Sequence, residues 1–64
     1  MFKKLRGKIG EFYDTQHAFA DAMGMSYTAL NHRLNGKVDW KASEMAKACE
    51  LLNVPLKDTH MYFF

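Results

Sequence analysis

The sequence predicts an all-α domain of about five short helices, and three observations carry that prediction. Apolar residues recur at spacings of three and four in successive stretches, the period of a helix with one buried face. Thr15 and Ser26 stand where helices begin, while Gly24, Asn35-Gly36 and Asn53 stand where helices end. No period-two strand pattern of useful length, internal repeat or low-complexity segment interrupts this arrangement.

The first helix is expected from about Phe2 to Tyr13, with Leu5, Ile9, Phe12 and Tyr13 as its apolar stripe and Lys3, Lys4, Arg6 and Lys8 interleaved. Gly7 and Gly10 weaken its intrinsic propensity, so it must rely on packing against the other helices. Thr15 is the expected N-cap of a second helix, Gln16 to about Met23, with Phe19 and Met23 on its buried face. Gly24 terminates it, because glycine adopts the left-handed conformation without a side-chain clash. Ser26 caps the third helix, where Tyr27, Leu30 and Leu34 share one face, and Asn35-Gly36 closes it. Val38 and Trp40 occupy a short connection. A fourth helix follows from about Ala42 to Leu52, its broad apolar face made by Ala42, Met45, Ala46, Cys49, Leu51 and Leu52. Asn53 and Pro55 end it, and Leu56 to Tyr62 forms a last short helix. The terminal Met61-Tyr62-Phe63-Phe64 either covers the open end of a small core or supplies a partner surface.

A chain of 64 residues has room for a single domain, spanning 1–64, and its 48% apolar content suffices for one core. The lone Cys49 has no partner for an internal disulfide, so that core must supply the stability. Cys49 reads as a small buried hydrophobe, and the methionines with Phe12, Phe19 and Trp40 read as core material. An unpaired cysteine, no apolar run of spanning length and no signal-peptide pattern point to a cytoplasmic product with no membrane association. The net charge of +2 is too small to imply a polyanionic partner by itself. Its distribution is more informative, because Arg33, Lys37 and Lys41 gather around the third helix and its exit.

The stretch from Gln16 to Gly36 has helix-turn-helix spacing: two capped helices joined by a short glycine-containing turn. Ala20 falls where the helices approach, and a small side chain there permits a steep crossing with Met25 plugging the gap beneath. Such a crossing stands the third helix outward, where its first residues can reach base edges in a major groove about 12 Å wide.

Gln16-His-Ala-Phe-Ala20-Asp-Ala-Met-Gly24-Met-Ser26, continuing through Leu30 to Leu34-Asn35-Gly36, resembles the helix-turn-helix of the Cro/CI family of phage repressors. The strongest likeness covers about a third of the chain. The five-helix layout extends it over nearly all the rest, including the Trp40 region and the segment Leu51 to Pro55. The resemblance implies a lambda repressor-like DNA-binding domain acting as a transcriptional regulator, a homodimer on a pseudopalindromic double-stranded operator. It implies that Tyr27, Thr28 and Asn31 face bases, while Gln16, Asn35 and Lys37 contact phosphates; by position and charge in this sequence His32 is expected with the base-facing residues, and Ser26 and Arg33 with those at phosphates. Asparagine can pair with adenine and threonine can contact thymine. Tyr27 either reads a base or packs its ring beside Leu30. Two departures from the family pattern stand out. Arg33 occupies a position that is apolar in many relatives, leaving burial to Leu34, and Lys41 replaces a capping threonine opposite Glu44.

The same fold also serves protein-interaction modules such as antitoxins and anti-repressors, which remain the alternative. No enzyme is expected, since no nucleophile, base and oxyanion donor converge and so small a helical domain offers little concave volume for a small-molecule substrate. His17, His32 and His60 are widely separated without ligand-spaced cysteines or carboxylates, so neither a metal nor another cofactor is expected.

Overall fold

The computed structural model describes residues 1–64 and contains helices and no strands. The helices are α1 (Lys3–Phe12), α2 (Gln16–Met23), α3 (Tyr27–Leu34), α4 (Ala42–Leu51) and α5 (Thr59–Phe63), the last entered through a 3-10 turn at Leu56–Asp58. None is long and apolar enough to cross a membrane.

The starts of α2 and α3 follow from their caps. Thr15 Oγ1 accepts from the Ala18 backbone N–H at 3.1 Å, and Ser26 Oγ accepts from that of Ala29 at 3.0 Å. Each bond satisfies a donor that helix geometry leaves without a partner.

Three helices end in the same paired-bond motif. After α2, Met25 N–H reaches the Ala20 carbonyl and Gly24 N–H the Asp21 carbonyl, both at 3.0 Å. After α3, Lys37 N–H reaches the His32 carbonyl at 2.8 Å and Gly36 N–H that of Arg33 at 3.2 Å. After α4, Val54 N–H reaches the Cys49 carbonyl at 2.8 Å and Asn53 N–H that of Glu50 at 3.3 Å. The pivot residues Gly24, Gly36 and Asn53 have φ of 74°, 75° and 56°, the left-handed values this motif requires.

Every one of the twelve buried residues is apolar. Phe19, Leu30, Leu34 and Ala48 lie at its centre, with Leu5 and Ile9 from α1 and Phe63 from α5 closing it. Ala20 is buried between its neighbours, and Met25 packs its side chain against the core beneath the turn. α2 and α3 are in direct contact, and both bury residues in this one core.

Several boundaries and faces differ from the sequence reading. α1 is a residue shorter at each end, because Phe2 is left-handed at φ 54° and Tyr13 is extended. Phe12, expected in the core, is 47% exposed beneath Lys8, whose Nζ lies 5.6 Å from the ring centroid. Tyr13 packs inward instead, its ring edge-on to Phe19 at 5.2 Å. On α4 the buried small residues are Ala48 and Cys49, while Ala42 and Ala46 face outward. The tail divides: Phe63 packs against Trp40 with ring centroids 5.1 Å apart, whereas Phe64 is 87% exposed.

Candidate nucleic-acid interface

With Leu30 and Leu34 fully buried, the helical period of α3 distributes its other side chains into three sectors. Thr28 and His32 lie opposite the core and are exposed. Tyr27 and Asn31 share the flank next to that exposed sector, and both are half-buried. Ala29 and Arg33 occupy the remaining flank. The four residues expected to read bases therefore occupy two adjoining sectors of one short helix.

Tyr27 does not sink its ring beside Leu30. It stacks on His17, the second residue of α2, with centroids 3.7 Å apart and planes within 9°. This contact bridges the outer edges of α2 and α3. In the sequence His17 is considered only as a metal ligand, a role its isolation argues against; its position at the start of one helix, with an aromatic at the start of the next, was the available signal.

Among the residues expected at phosphates, Gln16 is half-buried in the first turn of α2, and Ser26, Asn35 and Lys37 are exposed. The Ser26 oxygen serves the α3 cap, leaving its hydroxyl proton for another acceptor. Arg33 is a correction. Its Nε donates to Glu44 Oε1 at 2.9 Å and its Nη1 donates to the Ala29 carbonyl at 3.0 Å, leaving the side chain 13% exposed. The reason is geometric, since position 33 lies on the α3 flank that meets the start of α4. Arg33 is thus an internal tie between two helices and not a free cation on the outer face.

The same Glu44 oxygen accepts the Lys41 backbone N–H at 2.9 Å. Only this half of a capping box exists, because the lysine side chain has no acceptor to return the bond. The Arg33 hydrogen bond is the main cause holding the Glu44 carboxyl below its ordinary value, against the opposing effect of its burial; the Lys41 backbone bond adds to the lowering.

The basic run of α1 does not act as one patch. Lys4 and Lys8 lie on one flank, where Lys4 Nζ sits 5.3 Å from the Tyr62 ring centroid and Lys8 Nζ 3.9 Å from Glu11. Arg6 lies on the opposite flank and reaches the end of α3. Its Nη2 donates to the Leu34 carbonyl and to Asn35 Oδ1, each at 2.9 Å, and its Nε donates to the Met1 carbonyl at 3.0 Å. Spacing alone groups Arg6 with its lysine neighbours and carries no sign of this contact 28 residues away.

A family profile described as "Protein of unknown function (DUF739)" matches residues 1–64. The chain belongs to the DUF739 family. No curated protein matches it significantly. The distinctive surface features of this DUF739 chain are an outward-facing α3 edge, a stacked His17–Tyr27 pair and the cations Arg6 and Lys37 at the α3 exit.

Proposed function

We propose that this chain is a sequence-specific double-stranded-DNA-binding transcriptional regulator with a lambda repressor-like fold of the Cro/CI type. It acts as a homodimer on a pseudopalindromic operator, with α3 in the major groove. The observation that supports this reading best is the open edge of α3: Thr28 and His32 point away from a core that holds Leu30 and Leu34, and no other part of the chain covers them. A helix capped at its start, and held to its neighbours by its buried face, presents short polar side chains in a fixed frame. Thr28, Asn31 and His32 read base edges, and Tyr27 adds a ring fixed on His17. Gln16, Ser26, Asn35 and Lys37 engage the backbone and set register.

Selection of duplexes from a random pool, followed by anisotropy titrations at several salt concentrations, tests the reading. A recovered sequence with two related half-sites about one helical turn apart is the expected result. Absence of any salt-dependent complex overturns the reading and favours a protein-interaction module.

A further inference from the structure

The exit of α3 carries a positive charge that the fold leaves uncompensated. The two ion pairs are Lys8–Glu11 and Arg33–Glu44, so Arg33 is neutralised while Arg6 has no carboxylate partner. Arg6 is nonetheless held in place by three bonds, one from Nε and two from Nη2, which leaves the two N–H groups of Nη1 without a partner in the chain. Its bond to Asn35 engages the carboxamide oxygen, so the Asn35 NH2 group is turned away from Arg6 as a donor. Lys37 is exposed two residues further on.

A helix C-terminus carries a partial negative charge of about half an elementary unit, which repels an anion placed beside it. Arg6 covers one of the carbonyls responsible, that of Leu34, and brings a full positive charge to the same point. The end of α3 is thereby converted from a site that repels anions into one that attracts them.

We infer that Arg6, Asn35 and Lys37 form a phosphodiester clamp, in which Arg6 both offers its Nη1 edge to a phosphate and orients the Asn35 amide toward it. The inference rests on the DNA-binding reading for its ligand and adds Arg6 to the residues that meet the backbone. Planar guanidinium geometry is what the clamp requires: a lysine at the position supplies charge without holding Leu34 and Asn35 together.

The test combines duplex binding with a probe that needs no operator. In the full-length protein, Arg6→Gln is expected to lower the slope of log affinity against log salt by about one. Arg6→Lys keeps that slope. Asn35→Ala weakens binding by about tenfold in the natural chain. It costs much less in the Arg6→Lys background, because the amide is then no longer oriented. Thermal melting verifies that each variant is folded, and Arg6→Lys decides the matter if Arg6→Gln is not. Separately, titration of the free protein with inorganic phosphate is expected to shift the Arg6 guanidinium and Asn35 carboxamide resonances together. The clamp is overturned if phosphate leaves both resonances in place and Asn35→Ala costs the same in both backgrounds. A chain that binds no duplex but shows the coupled phosphate shifts keeps the clamp and loses the operator reading.

Discussion

Arg33 Nε and Glu44 Oε1 meet at 2.9 Å, and the same carboxylate oxygen closes the first turn of α4 on the Lys41 N–H. One side chain thus fixes both the start of α4 and its junction with α3. Glu44→Ala is expected to cost about 1 to 2 kcal/mol at neutral pH, the range of a lost cap plus a partly shielded ion pair. The pH dependence has a defined sign. Because the folded Glu44 carboxyl titrates below its ordinary value of 4.5, its contribution is complete above that value and disappears as pH falls through the lower folded one. Urea unfolding of the natural chain and Glu44→Gln from neutral to acid pH measures this. The stability difference between them should shrink on acidification; a difference constant with pH would exclude the ionised pair as its source.

The glycines divide into two kinds with opposite expected responses. Gly24 has φ 74°, and an added Cβ meets only the flexible tip of Lys47, 3.7 Å away, so Gly24→Ala isolates the backbone cost of about 1 to 2 kcal/mol. Gly7 and Gly10 are exposed within α1, and a Cβ on either meets nothing within 4 Å. Alanine at either position is expected to stabilise by up to about 1 kcal/mol, through higher helix propensity and a less disordered unfolded chain. Thermal melts of the single variants should move in opposite directions. Destabilisation by Gly7→Ala would mean that α1 does not fold as described.

Local signals explain why the helices were legible. Thr15, Ser26, Gly24 and Gly36 act within a few residues of themselves, so their caps and turns can be inferred without tertiary information. Phe12 was misplaced because a three-four stripe does not say where a helix stops facing the core. Tyr13, extended just beyond α1, takes the inward position. The candidate site was less legible for the same reason. Thr28 and His32 follow from the period of α3 itself, whereas the roles of Arg33, Arg6 and His17 depend on Glu44, Asn35 and Tyr27, each contributed by another helix or its end. A long cation reads as surface charge until the carboxylate or carbonyl beside it is known.

Phe63 and Phe64 are adjacent aromatics in opposite environments, 6% and 87% exposed. Phe63→Ala removes a ring packed on Trp40 and is expected to cost roughly 3 to 5 kcal/mol, a large share of the stability of so small a domain. Phe64→Ala should change stability by less than about 0.5 kcal/mol. Circular dichroism melts of the two variants check this. Equal losses would contradict the division of the tail between core and surface.

Three substitutions separate the roles assigned around α3. Asn31 sits among the base-facing residues, so Asn31→Ala should reduce discrimination between the selected duplex and a mismatched one, by the roughly 1 to 3 kcal/mol of a good base contact. Lys37 is exposed at the exit, and Lys37→Ala should weaken every duplex alike while lowering the salt slope by about one. Arg33 is the informative control, being as basic as Lys37 but already paired with Glu44. Arg33→Ala should therefore lower the melting temperature, because it leaves the Glu44 carboxylate at the α3–α4 junction without its ion-pair partner, and leave the salt slope unchanged. If Arg33→Ala flattens that slope as Lys37→Ala does, the guanidinium meets phosphate after all, and the internal tie must open when the duplex binds.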